Sequence, residues 1–124
     1  MKKLFISCPM KGRTEENIRK TMEKMHKIAE VVFEQELEVI PSYIEDNPPK
    51  DNNEAIWYLG KSIQLMAQAD YFIGVDWYYG YWKGCGIETQ VASDYNIPTY
   101  TIDIKKIEPD CLEILNNITI GPGN

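Results

Sequence analysis

Four short apolar segments, separated by stretches of helical periodicity, constrain the fold of this chain more than any other feature. The segments are residues 3–8, 37–40, 71–75 and 99–102. Each is too short for a core helix and apolar enough for a buried strand. The intervening stretches carry apolar residues in steps of three and four, most regularly over 14–35. This alternation predicts a single-domain α/β fold, an open parallel sheet flanked by helices in a Rossmann- or flavodoxin-like arrangement, with strand order 2-1-3-4.

The bulk composition excludes several classes of function. A length of 124 residues and a hydrophobic content of 44% fit one domain with one core. The net charge of −6 argues against binding to DNA or RNA polymers, which needs a basic face. No apolar run approaches the length of a membrane span or a signal peptide, so we expect a cytoplasmic protein that does not contact membranes.

The cysteines and the chain ends complete this outline. Cys8, Cys85 and Cys111 are odd in number and widely spaced, which argues against a disulfide framework or a zinc site. We expect neither a metal nor an organic cofactor. Residues 1–104 carry the strand and helix alternation and form the predicted domain. Residues 105–124 are predicted to be a C-terminal extension that packs on this domain or extends it.

Ligands of open parallel sheets bind beyond the carboxyl ends of the strands, near the point where the strand order reverses. Residues 7–10, after strand 1, and residues 76–88, after strand 3, flank that point here. Gly84 and Gly86 would allow a ligand close to the backbone, and we place Glu88 in the first turn of helix 3. A carboxylate there can attack the anomeric carbon of a sugar. Alternatively, Glu88 only complements the helix dipole.

Five segments, in this order, resemble the nucleoside 2-deoxyribosyltransferase-like superfamily. They are LFISCPMKG (4–12), LGKS (59–62), AD (69–70), WKGCGIE (82–88) and YNIP (95–98). The resemblance covers about residues 1–104 and is greatest for a branch of small bacterial and phage proteins of unknown function. It implies a nucleoside or nucleotide ligand, cleavage or transfer at the N-glycosidic bond, and a homo-oligomer, a dimer or larger, in which neighbouring chains complete the site.

The transferases of this superfamily carry Asp-Gly, three further residues, and then a nucleophilic Glu. Glu88 stands four residues after Gly84 and matches that nucleophile. The Asp before the glycine is replaced by Lys83, and where the transferases have an Asp on helix 2 this chain has Lys61 and Ser62. These changes favour an anionic ligand, such as the nucleoside 5′-monophosphates that a related branch hydrolyses.

Lys83, Ser7 and the amino end of helix 3 are therefore predicted to hold a phosphate, unless the lysines are only solvated surface residues. Asp76, at the end of strand 3, is predicted as a second catalytic acid, with an Asx turn as the alternative. The other predicted ligand-binding residues are those that line the two loops: Cys8, Pro9, Met10, Gly84 and Cys85.

An aromatic loop lies between strand 3 and helix 3. Trp77, Tyr79 and Trp82 are its predicted ligand-binding members, accompanied by Tyr78 and Tyr81. Such side chains can stack on a nucleobase, or they can pack between subunits, where Tyr and Trp are enriched. The sequence is consistent with two functions from different classes. One is an enzyme acting on the N-glycosidic bond. The other is a non-catalytic binder that sequesters a nucleotide signal, including one made by host defence. A domain that no longer uses its pocket is a third interpretation.

Overall fold

The computed structural model describes residues 1–42, 44–77 and 80–119. Its centre is a parallel sheet with the strand order β2-β1-β3-β4. The strands are β1 (Lys2–Ile6), β2 (Leu37–Val39), β3 (Tyr71–Val75) and β4 (Thr99–Ile102). The predicted α/β class and the strand order 2-1-3-4 are confirmed. β1 and β3 lie side by side in the middle of the sheet. β2 lies on one side of β1, whereas β3 and β4 lie on the other, so the strand order reverses between β1 and β3.

Five helices are described. They are α1 (Glu15–Val32), α2 (Glu54–Met66), α3 (Lys83–Asp94), α4 (Ile104–Ile107) and α5 (Pro109–Thr119). Thr14 and Asn53 begin α1 and α2 by accepting backbone N–H groups with their side-chain oxygens. α1 ends at Val32, three residues before the expected end at 35, and Glu34 beyond it has a φ of 56°. A left-handed residue at that place stops the helix.

Side chains that alternate along β1 and β3 divide the core into two layers. Leu4 and Ile73 belong to the layer covered by α1, α4 and α5. Phe5 and Phe72 belong to the layer covered by α2 and α3, and their rings stack with centroids 5.7 Å apart. Ser7 continues the alternation after Phe5, so its side chain lies on the α2 and α3 side.

Gly74 allows α3 to lie close to β3. A Cβ atom at this position would come within 2.8 Å of Phe72 Cε1 and 2.9 Å of Thr89 Oγ1. Thr89 is held in turn, because its hydroxyl donates to the Cys85 carbonyl at 2.7 Å. Because Gly74 has no side chain, the middle of α3, including Glu88, can lie against the carboxyl end of the sheet.

The C-terminal helices contribute to the first core layer through Ile104, Cys111 and Leu115. Within the predicted C-terminal extension, residues 109–119 form α5. The domain boundary at residue 104 stays a prediction. Among the described residues, none of the helices combines the length and apolar character that crossing a bilayer requires.

Candidate active site

Ser7 and Glu88 meet at the carboxyl edge of the sheet. Ser7 directly follows β1, and its backbone N–H donates to the Ile73 carbonyl at 2.9 Å. Its hydroxyl donates to Glu88 Oε1 at 2.7 Å. Both residues are buried, with 2% of Ser7 and 9% of Glu88 exposed. The sequence motifs at residues 4–12 and 82–88 are therefore joined by a direct side-chain contact.

A second hydroxyl, that of Ser62 on α2, acts on the same carboxyl group by hydrogen bonding that lowers its pKa. The sequence places Ser62 where the transferases that it resembles carry an acid on helix 2, but it does not predict this effect on Glu88. The hydroxyl that follows β1 thus bonds the Glu88 carboxyl directly, and a hydroxyl of α2 also lowers its pKa.

Burial and hydrogen bonding act on Glu88 in opposite directions. Removal from water raises the pKa of the carboxyl group, while the hydroxyls of Ser7 and Ser62 lower it; burial prevails, so the pKa lies above its ordinary value. Above that raised pKa the group is an anion that accepts the Ser7 hydroxyl as an oriented donor. Such a carboxylate can serve as a nucleophile toward carbon or as an acceptor for a ligand hydroxyl.

Cys85 adjoins this pair. Burial raises the pKa of its thiol to about 12; the hydrogen bond with Ser7 lowers the pKa, and the negative charge of Glu88 raises it. The thiol is therefore neutral at physiological pH and does not act as a nucleophile. Cys85 also packs among the buried residues of the first core layer.

The position of Glu88 within α3 differs from the sequence expectation. α3 begins at Lys83, so Glu88 lies in the second helical turn and not in the first. Gly84 and Gly86 belong to the helix, although glycine is typical of the loop that was expected there. The dipole of a helix acts mainly on its first turn, which contains no acidic residue in α3. Complementing the dipole is therefore a poor explanation for Glu88.

The loops after β1 and β3 are locked together. Trp82 Nε1 donates to the Lys11 carbonyl at 3.1 Å, and Lys11 Nζ lies 4.5 Å from the centroid of the Tyr81 ring. Gly12 has a φ of 81° and lies close to the Tyr81 hydroxyl. A Cβ atom added to Gly12 would be 3.1 Å from that hydroxyl oxygen. Trp82 is buried in the core. Its geometry favours a packing role, and its contact with a ligand stays a prediction.

Asp76 and Trp77 lie at the same edge of the sheet but are exposed. The Asp76 backbone N–H donates to the Ile102 carbonyl at 2.9 Å, and among the described residues no contact joins its side chain to Glu88. Trp77 is 69% exposed and lies across the start of α3, with its Cδ1 3.5 Å from where a Cβ of Gly86 would be. This indole is accessible to a ligand.

The other predicted site residues are dispersed. Cys8 is buried on the opposite side of the loop from Ser7, and burial raises its thiol pKa to about 12. Pro9 is buried and Met10 is exposed. Lys83 and Gly84 are exposed at the start of α3, and nothing lies within 4 Å of a Cβ built on Gly84. Tyr79, with Tyr43 and Tyr78, lies outside the described residues.

Lys61, the other cation that distinguishes this chain from the transferases, is already engaged. Its Nζ lies 3.8 Å from Asp46 Oδ2 and 5.1 Å from the centroid of the Trp57 ring. It lines a groove of about 450 Å³ beside α2. A second groove, of about 740 Å³, follows α1. Neither groove is lined by Ser7 or Glu88.

No group of three or more His, Cys, Asp and Glu side chains in the described ranges is arranged to hold a metal ion. Comparison with known proteins returns no matching family model, no matching curated protein and no matching solved structure. The resemblance to the nucleoside 2-deoxyribosyltransferase-like superfamily therefore rests on the five sequence segments alone.

Proposed function

We propose that the protein binds a nucleoside or nucleotide at the carboxyl edge of its sheet and acts on the N-glycosidic bond, with Glu88 as the nucleophile. The observation that carries this proposal is the buried Glu88 carboxyl group, which accepts the Ser7 hydroxyl at 2.7 Å. The motif that aligns Glu88 with the nucleophile of deoxyribosyltransferases supports the same assignment. A homo-oligomer of dimer size or larger is part of the proposal.

In the proposed reaction, a Glu88 carboxylate oxygen attacks C1′ of the sugar. The bond between C1′ and the base nitrogen breaks, and the base leaves with the bonding electrons and takes up a proton. Water or the nitrogen of a second base then attacks C1′ and releases Glu88 as a carboxylate. The ionised form of Glu88 is required, so the two hydroxyl donors favour the reactive state.

The substrate we favour is a nucleoside 5′-monophosphate. Lys83 is exposed in the first turn of α3, beside backbone N–H groups that lack partners within the helix. A phosphate there would complement both features. The Ser7 hydroxyl already donates to Glu88, so this proposal assigns phosphate binding to Lys83 and the backbone. Trp77 would stack on the base, and Asp76 would supply the proton for the leaving group.

A non-catalytic nucleotide binder is the second candidate. The observation that favours it is the raised pKa of Glu88, since a protonated carboxyl group is not a nucleophile. Asp76 is also exposed, and among the described residues its side chain makes no contact with Glu88. Such a protein would hold its ligand unchanged, as a sponge for a nucleotide signal, including a signal of host defence.

Base release separates the two functions. Wild-type protein is incubated with nucleosides and nucleoside 5′-monophosphates, and the free base is measured by mass spectrometry. Glu88→Gln should lower turnover roughly 10³-fold or more while it preserves ligand-induced thermal stabilisation. Glu113→Gln, an exposed acid on α5, is the matched control.

Full turnover by Glu88→Gln would refute the role of Glu88 as the nucleophile. Binding by the wild type without product would establish the binder. A thermal transition that no nucleoside or nucleotide changes would contradict both candidates and favour a domain that does not use this site.

A further inference from the structure

Arg13 lies between β1 and α1, with a side chain that is 0% exposed. Its Nε and Nη2 donate to the two carboxylate oxygens of Asp110 at 2.7 and 3.2 Å. Nη2 also donates to Thr21 Oγ1 at 2.7 Å and lies 3.5 Å from Glu108 Oε2. Nη1 donates to the Pro9 carbonyl at 3.1 Å. One guanidinium group thus joins the loop after β1 to α1 and α5.

The partners of Arg13 explain why it is arginine. A buried cation requires counter-charges and hydrogen-bond acceptors on all sides. The planar guanidinium binds a carboxylate with two parallel hydrogen bonds, which the point charge of lysine does not reproduce. Asp110 and Glu108 supply the charges from the start of α5 and the residue before it, and Glu108 also pairs with Lys24 of α1. The start of α5 and the residue before it are therefore the source of the counter-charge.

Arg13 also fixes the path of the chain after Ser7. Ser7 is held at one end by the Ile73 carbonyl of β3. Two residues later, the Pro9 carbonyl accepts from the Arg13 side chain, and the Met10 carbonyl accepts from the Arg13 backbone N–H at 3.0 Å. The segment that presents the Ser7 hydroxyl to Glu88 is thus fastened to the sheet on one side and to Arg13 on the other.

We propose that Arg13 is a positioning residue, which holds the loop after β1 so that the Ser7 hydroxyl meets Glu88, and that α5 is thereby part of the site. Its importance for turnover rests on the proposed function. The contact that Arg13 controls exists without substrate, so it is measured on the free protein.

The test is the titration of the Glu88 carboxyl group, followed by NMR in protein labelled with ¹³C at glutamate side chains and assigned with Glu88→Gln. Among the described residues, the side chains coupled to this carboxyl are Ser7, Ser62 and the neutral thiol of Cys85. Ser7→Ala removes a donor to the ionised form and should raise the Glu88 pKa. Arg13→Lys keeps the positive charge but loses the two parallel hydrogen bonds of the guanidinium group. It should therefore also raise the Glu88 pKa, by about 0.3 pH units or more.

Two controls separate positioning from a general loss of stability. Arg19→Lys, whose side chain pairs only with exposed Glu23 in the described contacts, should leave the titration unchanged. Leu37→Ala removes a buried side chain at the opposite end of the sheet, where Leu37 pairs with Lys2. It should lower the melting temperature without moving the Glu88 titration.

Asp110→Asn weakens the hold on the Arg13 guanidinium group more mildly, because it removes only the negative charge of its partner. If Arg13→Lys does not fold, the Glu88 titration of Asp110→Asn tests the proposal. A folded Arg13→Lys or Asp110→Asn protein with the wild-type Glu88 titration would overturn the proposal. An equal shift in Leu37→Ala would overturn it too, because the shift would then follow stability. Failure of the wild type to release a base would refute the enzyme and leave this titration result intact.

Discussion

At the scale of single residues, two opposing effects act on the pKa of one carboxyl group in the candidate site: loss of solvation raises it and hydrogen bonding lowers it. Glu88 is 9% exposed, and burial of this kind costs free energy whenever the group is ionised. The hydroxyls of Ser7 and Ser62 recover part of that cost but not all, because the pKa of Glu88 remains raised. A residue that destabilises the fold at neutral pH is typical of a functional site.

The raised pKa of Glu88 makes the stability of the fold depend on pH with a definite sign. The folded protein holds the Glu88 proton to a higher pH than the unfolded chain, so stability decreases as the pH rises from the usual glutamate pKa, about 4.3, through the raised folded value. Glu88→Gln lacks this loss. Its melting temperature should therefore exceed that of the wild type by an amount that is smallest near pH 4, grows with pH and then levels off.

Thermal melts of the two proteins between pH 4 and 9 measure this difference. Glu113→Gln, exposed on α5, serves as the control and should follow the wild-type profile. If the wild type instead gains stability over Glu88→Gln as the pH rises, the pKa of Glu88 is lowered in the folded protein, and its hydrogen bonds outweigh its burial.

At the scale of helices and strands, the sequence predicted what depends on local patterns. Apolar runs predicted all four strands, and β3 and β4 have the predicted bounds, because buried parallel strands are apolar throughout. The start of α3 was misplaced, since Gly84 and Gly86 have low helix propensity and carry no sign that the chain is already helical. That error placed Glu88 one turn too early.

The contact of α3 with β3 predicts the effect of one methyl group. Gly74→Ala would place Cβ 2.8 Å from a Phe72 ring atom and 2.9 Å from Thr89 Oγ1. Phe72 is fully buried and stacked on Phe5, so it cannot yield easily. We expect a loss of roughly 1–3 kcal/mol in the free energy of unfolding. Displacement of α3 should also weaken the Ser7–Glu88 contact and any activity that depends on it.

Gly60→Ala is the matched comparison for denaturant unfolding. Gly60 lies inside α2, and nothing is within 4 Å of the Cβ that alanine would add. Alanine is the better helix former, so this variant should gain about 0.5–1 kcal/mol. Equal stability of Gly74→Ala and the wild type would mean that α3 does not approach β3 as closely as described.

At the scale of the whole molecule, contacts between distant parts of the chain decide what the sequence could not predict. Arg13 and Asp110 are 97 positions apart, and no sequence pattern around either residue predicts that they pair. The same holds for Ser62 and Glu88, since only the packing of α2 beside α3 brings them together. The strand order and the edge that holds the site follow from general rules of parallel sheets, whereas these pairings follow from tertiary structure.

The Arg13–Asp110 pair also predicts how the whole fold responds to acid. Burial alone would raise the pKa of the Asp110 carboxyl group, but the hydrogen bonds and charge of Arg13 outweigh it and lower the pKa. A carboxyl group with a lowered pKa stabilises the fold above its unfolded pKa, about 3.9, and loses that contribution as the pH falls through the folded value. Asp110→Asn should therefore be less stable than the wild type at pH 7, by roughly 1.5–3 kcal/mol.

The same difference should shrink below pH 4, because the wild type then loses the charge that the variant lacks. Denaturant unfolding at pH 7, 5, 4 and 3 measures it, with Asp94→Asn as the control, since Asp94 is exposed at the end of α3 and contacts only Gln90 in the described bonds. A difference that stays constant from pH 7 to pH 3 would mean that Asp110 acts through shape and not through charge. The charge of α5 would then not be what holds Arg13 beside the site.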